Sequence, residues 1–377
     1  MFIRRIKLRN LLSFGPEGQE LELKPLNVLI GPNGAGKSNL VEVMGLLRSV
    51  PGKLVDTISE GGGMQEWVWR GEPQATSAEL EIVVAGPDGC GPLRYRLAIA
   101  TDANNAFRVA EESLQDERAN GRRTYLQSDG TDALVGSLQQ NLFSRHQSVL
   151  AQFKMSDAPE LAYMTEQLAG IALFREWHFG RNHATRLTQQ PDLPNDFLSE
   201  DGENLGLVLN QLMSEYEARD HVIEALKTLY EGVTDYRVDI QKGQVRLFLL
   251  EGDVAIPATR LSDGTLRYLC LVTILCHPNP PPLICLEEPE LGLHPDILPN
   301  LAESLRSASE RCQLIVTTHS DVIVDALTDA PESVVVCEKH DGATTMKRLD
   351  ADKLSHWLAS YRLGELWSSG ELGGNRW

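Results

Sequence analysis

Residues 31–38 read Gly-Pro-Asn-Gly-Ala-Gly-Lys-Ser. Glycines let the backbone turn several N–H groups towards one point, and a cation, Lys37, and a hydroxyl, Ser38, follow at once. That donor set suits a polyphosphate and its magnesium ion. The spacing G-x-x-x-x-G-K-S is the Walker A pattern. It predicts nucleotide contacts at Asn33, Gly34, Gly36, Lys37 and Ser38, with Lys37 on the β- and γ-phosphates and Ser38 on Mg²⁺.

A second constellation lies at residues 282–288, Pro-Leu-Ile-Cys-Leu-Glu-Glu. Alone, an apolar run ending in two carboxylates is an acidic turn after a core strand. Downstream of a Walker A it is a Walker B pattern, in which Glu287 sits on the metal side and Glu288 is the general base for water. Residues 317–320, Thr-Thr-His-Ser, follow another apolar run. They place His319 at a strand end, in reach of a γ-phosphate or its attacking water, while Asp321 reads equally as a helix cap. Residues 261–265, Leu-Ser-Asp-Gly-Thr, precede a helical stretch. There Ser262 and the N–H of Gly264 suit an anion, although Ser-Asp-Gly is also an ordinary turn and cap.

These residues need strands and helices to hold them. Residues 26–30 form a short apolar run that reads as a buried strand before the glycine loop, and 39–48 read as the helix after it. Alternation at 2–9 and 19–23 predicts two antiparallel strands ahead of that strand. Stretches at 66–69, 78–85 and 93–100, with turns between, predict an antiparallel meander that 106–114 and 122–127 extend. From about 132 to 229 the pattern turns helical, with apolar residues at helix spacing over 158–178 and 204–230. No sustained heptad covers three to four repeats, which excludes a long coiled-coil arm. Residues 233–240 and 244–250 predict a hairpin, 265–276 a buried helix, and 283–286 and 312–317 buried strands. Trp357, Trp367 and Trp377 predict a packed tail.

The chain has 377 residues, 42% of them hydrophobic and 23% charged, as in an ordinary globular protein. No apolar run approaches the length of a membrane span and no leader pattern opens the chain, so the expected location is cytoplasmic. The six cysteines form no C-x-x-C pair and read as reduced core thiols. A formal net charge of −18 argues against strong autonomous DNA binding, which runs on phosphate neutralisation. The segment 175–181, Arg-Glu-Trp-His-Phe-Gly-Arg, and the pair Arg122-Arg123 are weak nucleic-acid candidates that read more simply as a helix core with a solvated edge.

Taken together, the four motifs resemble the ATP-binding cassette heads of the SMC, RecF and OLD branch, in the group called "predicted ATPase, AAA domain". The segment 10–14, Asn39 after Lys37-Ser38, the Glu-Glu-Pro-Glu at 287–290 and the Leu-His-Pro at 293–295 carry the resemblance, which covers 1–60 and 235–345 well. It implies an α/β P-loop NTPase of ABC head type, with a mixed central sheet, an antiparallel β meander and an inserted helical lobe. The implied domains are 1–130, the helical lobe 131–232, 233–350, and a packed tail 351–377. It implies ATP and Mg²⁺ as cofactors, Asn39 as a further nucleotide contact, 261–265 as the signature loop, 290–294 as the D-loop and His319 as the switch histidine. Arg9 and Asn10 lie where relatives place residues near adenine or ribose. Gln147 is the preferred Q-loop metal ligand, with Gln65 and Gln152 as alternatives. Two departures stand out: Glu287 replaces the usual Walker B Asp, and Asp263 stands where many transporters have Gly.

Such heads imply a composite site, in which Ser262 of one copy closes on ATP held by another. The expected activity is slow ATP hydrolysis in a switch that dimerises head to head on ATP. Its setting would be a DNA-related process, repair or phage defence, with a protein partner such as a nuclease or effector. The alternative is a regulatory scaffold without nucleic-acid contact; a transporter ATPase fits poorly. A TOPRIM-type nuclease cluster is not expected after the head.

Overall fold

The computed structural model describes residues 2–71, 75–87, 89–102, 106–118, 123–141, 144–152, 158–175, 177, 179–229 and 232–374. Arg122, Glu176, His178, Tyr230 and Trp377, which figure in the expectations above, lie outside them. The chain divides into two compact units. One comprises 1–171, 332–354 and 369–377, the other 172–331 and 355–368.

The first unit opens with β1 (Ile3–Arg9), β2 (Gln19–Glu22) and β3 (Leu26–Ile30), then α1 (Lys37–Ser49), α2 (Leu54–Glu60) and α3 (Met64–Trp67). The meander follows as β4 (Ser77–Val84), β5 (Leu93–Thr101), β6 (Phe107–Asp116), β7 (Thr124–Ser128), β8 (Asp132–Val135) and β9 (Leu138–Asn141). With β1 and β2 it makes an antiparallel sheet in the order β2-β1-β4-β5-β6-β7-β8-β9. The short helix α4 (Val149–Gln152) and α5 (Pro159–Ala169) come next.

The second unit contains β10 (Ile171–Phe174), α6 (Leu205–Leu212), α7 (Tyr216–Lys227), and the antiparallel trio β11 (Val233–Gln241), β12 (Gln244–Glu251) and β13 (Val254–Pro257). Then come α8 (Asp263–Leu275), β14 (Leu283–Glu287), α9 (Leu298–Ser309), β15 (Gln313–Thr317) and α10 (Asp321–Asp325). Strands β14 and β15 run parallel, with Glu287 opposite Thr317. The chain returns to the first unit through β16 (Val334–His340) and β17 (Ala343–Arg348); α11 (Ala351–Leu358) starts there, and from residue 355 to 368, which includes most of α12 (Leu363–Ser369), the chain belongs to the second unit. In the first unit β16 pairs parallel with β3, Val334 opposite Val28 and Val336 opposite Ile30.

Burial explains the strand choices. All five residues of β3 and of β15 are buried, as expected of apolar runs too short for a helix. Removing Val28, Leu29 and Ile30 from water contributes roughly 1.5–3 kcal/mol each. The hairpin β11–β12 turns at Lys242 (φ 51°) and Gly243 (φ 71°), both left-handed, as a two-residue turn between right-twisted strands requires.

Four local expectations are corrected. The stretch at 66–69 belongs to a helical turn, α3, that ends at Trp67, with only Val68 bridging to Leu11. The residues after 132 begin a hairpin, β8–β9, that extends the sheet. The apparent helix 158–178 stops at Ala169, where Gly170 caps it, and β10 follows. The apparent helix 204–230 is two helices, because Glu215 is extended (φ −107°, ψ 104°) and restarts the chain in a new direction. Apolar periodicity survives such a break, so it cannot reveal one.

Of the cysteines, Cys270, Cys285, Cys312 and Cys337 are buried. Burial pushes the Cys312 thiol up to about 11 and the Cys337 thiol up to about 12. Among the described residues no helix is long and apolar enough to cross a membrane.

Candidate functional site

In the first unit the glycine loop follows from where its glycines sit. Gly31 has φ 145°, and a Cβ there would lie 2.2 Å from the carbonyl oxygen of Cys337 on β16. Gly36 has φ 96°, and a Cβ there would lie 2.2 Å from Oγ1 of Thr344 on β17. The loop is therefore laid against the two strands with no room for side chains at either end. Helix α1 starts at Lys37 with Gly36 as its N-cap and no side chain capping it, so its first N–H groups and positive dipole end face the loop.

Lys37 is buried, and its Nζ donates to the carbonyls of Gly31 (2.7 Å) and Pro32 (3.1 Å), which holds the charge over the loop. Asn33, Gly34 and Ser38 are exposed. An uncapped helix start, a cation bent over the turn and an exposed hydroxyl one residue on fit a polyphosphate with its magnesium ion.

Behind the loop a polar chain ties it down. Nδ2 of Asn39 is 2.6 Å from Oγ of Ser13, which is 2.7 Å from Oγ1 of Thr344, which is 3.0 Å from the carbonyl oxygen of Ala35. Oriented from Asn39 to Ala35, each hydroxyl accepts once and donates once. Asn39 thus spends its amide on loop support. Ser13 and Asn39 also line a cavity of about 630 Å³ together with Trp69, Arg70, Lys339 and others. Arg9 and Asn10 do not line it: Nε of Arg9 donates to the Pro16 carbonyl (3.0 Å), and Asn10 (φ 53°) shapes the turn through its backbone.

Gln147 lies exposed in the turn before α4. Nε2 of Gln152 donates to the carbonyls of Ser144 (2.8 Å) and Gln147 (2.9 Å), so Gln152 is committed to fastening that turn. Glu112, fully enclosed, accepts from Oγ of Ser148 (2.7 Å), the Val149 N–H (2.7 Å) and the Tyr95 hydroxyl (2.9 Å). Burial raises its carboxyl above the ordinary value, against the pull of those donors.

In the second unit Glu288 follows β14 with φ 45°, a left-handed conformation that is uncommon for a non-glycine residue and costs strain. Its N–H donates to the Thr317 carbonyl at 3.0 Å. The turn brings its carboxylate to 3.4 Å from Nε2 of His319. The strand pairing of β14 with β15 thereby unites two residues 31 positions apart in sequence. Oε1 of Glu290 accepts from the Thr318 hydroxyl and the His319 N–H, both at 2.7 Å, and burial raises the Glu290 carboxyl. Glu287 has a cation beside it, Arg175 Nε at 3.7 Å.

The loop 261–265 realises its modest reading: Ser262 caps α8, its Oγ accepting from the Thr265 N–H at 3.0 Å. Ser262 is nonetheless exposed. Gly264 is there for space, since a Cβ would lie 2.5 Å from the Gly292 carbonyl oxygen. Three residues were missed in the sequence. Ser13 and Thr344 belong to patterns without chemistry of their own, and Arg186 reaches the 261–265 loop from 77 residues away.

A glycine loop in the first unit, and an acidic strand end with a histidine in the second, are the marks of a P-loop ATPase. The chain belongs to the family described as "AAA domain, putative AbiEii toxin, Type IV TA system", whose profile matches residues 26–325. Over 126 residues, 30% of this chain, it is 29% identical to the chromosome partition protein Smc of Cereibacter sphaeroides. It spans about a tenth of that relative's length (11%). Among solved structures it is similar to an Smc head bound to the C-winged-helix domain of ScpA, with TM-score 0.63, 14% identity, and 94% of this chain and 99% of that one covered. It is also similar to an Smc head with an extended coiled coil bound to the C-terminal domain of ScpA, derived from Pyrococcus furiosus, with TM-score 0.60, 14% identity, and 95% and 98% covered. At those identities the likeness is one of fold.

Proposed function

We propose that the chain is an ATP-operated switch, in which ATP binding joins two copies head to head and hydrolysis parts them. The observation that carries this reading is Glu288, strained into a left-handed turn with its carboxylate 3.4 Å from His319. Such strain is kept where a group must be aimed. In this reading residues 31–38 hold the phosphates, Asn39 braces that loop through Ser13, and Arg9 and Asn10 shape the neighbouring turn. Glu288 takes the proton of the attacking water, with His319 orienting it, and Lys37 balances charge at the γ-phosphate. Ser38 and Glu287 would hold Mg²⁺, with Gln147 as a further ligand; the ion supplies charge neutralisation. Ser262 and Gly264 serve the phosphate of the opposite copy, which makes the assembly two-fold symmetric.

The test is Glu288→Gln with ATP and Mg²⁺ in sedimentation. Dimers at micromolar protein that vanish on adding Lys37→Ala are expected. A monomer that binds ATP would refute the switch.

The setting proposed is a DNA-related or defence process with a protein partner; the Smc heads bound to ScpA domains support the partner. The net charge of −18 favours a scaffold reading over direct DNA contact. Turnover unchanged by DNA supports the scaffold, and DNA-stimulated turnover supports direct contact.

A further inference from the structure

The second unit holds a buried arginine that none of the four motifs includes. Arg186 is 8% exposed. Its Nε donates to the Phe179 carbonyl at 2.7 Å. The two arms of its guanidinium reach the signature loop, one to the Leu261 carbonyl and the other to the carboxylate of Asp263. The fork therefore takes hold of the residues on either side of Ser262. Asp263 itself is 72% exposed at the side chain, so burial does not hold it in place.

The post that carries Arg186 is firm. Gln189 exchanges two backbone hydrogen bonds with Val245 of β12, both 2.9 Å, and its Oε1 accepts from the Gly206 N–H of α6 at 2.8 Å. Thr185 is fully buried, and a Cβ on Gly202 would lie 2.9 Å from its methyl group.

From this arrangement we propose that Arg186 is a positioning residue for the signature loop, a planar clamp that fixes Leu261 and Asp263 so that Ser262 and the start of α8 are presented in one geometry. The clamp gives Asp263 a physical reason: it neutralises a buried guanidinium in the same chain. A lysine cannot replace the clamp, because a single ammonium on a flexible stem cannot span a carbonyl and a carboxylate while also holding Phe179. Immobilising the loop beforehand removes an ordering cost that association would otherwise bear.

The consequence for ATP-driven association rests on the switch reading above, so the test has two arms. The first is independent of nucleotide: hydrogen–deuterium exchange of the amides of 261–266 in the full chain. Arg186→Lys and Asp263→Asn, the latter at an exposed side chain that leaves the core untouched, each speed that exchange at least tenfold while β14 and β15 keep their protection. Exchange at the wild-type rate in a folded Asp263→Asn protein overturns the clamp. The second arm puts the same changes into Glu288→Gln. Association with ATP weakens at least tenfold, and the dissociation constant for ATP on the single chain stays the same. Equal association by parent and clamp variants overturns the positioning role. A parent that never associates sinks the switch reading and leaves the exchange arm to decide the clamp.

Discussion

Changing Thr344 to Val removes one hydroxyl and little volume at a position 3% exposed. The hydroxyl lies 3.0 Å from the carbonyl oxygen of Ala35, inside the glycine loop, and 2.7 Å from Oγ of Ser13. Ala35 is 1% exposed, so water does not replace the lost donor. Leaving a buried acceptor without a partner costs about 1–3 kcal/mol. Taking about 2 kcal/mol, the melting midpoint falls by about 4–8 °C for a domain of this size class. If all of that energy holds the loop in its binding geometry, the ceiling on the loss of nucleotide affinity is about 30-fold. Thermal melts and calorimetric titration with ATP measure both, on Thr344→Val, Ser13→Ala and the double variant. The chain of hydrogen bonds requires the two sites to couple by more than about 0.5 kcal/mol. Wild-type melting and affinity in Thr344→Val, or strict additivity in the double variant, would refute the reasoning.

Burial holds the Glu112 carboxyl above its ordinary 4.5, so the folded chain keeps that proton to higher pH than the unfolded chain does. Its contribution is most favourable below about 4.5 and declines as pH rises through the folded value. Urea melts from pH 4 to 7 should show that decline, and Glu112→Gln should flatten it; parallel profiles would exclude Glu112 as the source. Gly264→Ala places a Cβ 2.5 Å from the Gly292 carbonyl oxygen and must displace the 290–294 turn or the start of α8. In the Glu288→Gln background it should reduce ATP-driven association at least tenfold with ATP affinity of the single chain unchanged, and association like that of the parent would contradict the assigned contact.

What the sequence disclosed was local. The order Leu26–Ile30, glycine loop, helix is written in adjacent residues, and so is the carboxylate pair at the end of β14. Parallel pairing of β14 with β15 then brings His319 to Glu288, which their places at the ends of two apolar runs foreshadow. The supports were not legible. Ser13 and Thr344 are 331 positions apart and meet where β17, paired with β16 beside β3, also donates its Thr344 N–H to the Ser13 carbonyl. Arg186 sits in irregular chain, where no periodicity marks a side chain as structural. The break at Glu215 and the strand after Gly170 were hidden because the apolar spacing on either side continues a helical pattern.

The pairing of β3 with β16, and the reach of Thr344 back to Ala35, also bear on how the protein is made. In synthesis the glycine loop leaves the ribosome some 300 residues ahead of its lateral support. Until residue 344 has emerged, the loop lacks the strands that its glycines are shaped to lie against. The loop's geometry therefore waits on those strands, and a nascent or truncated chain carrying an intact Gly31–Ser38 sequence does not yet have the loop that the chain with β16 and β17 holds.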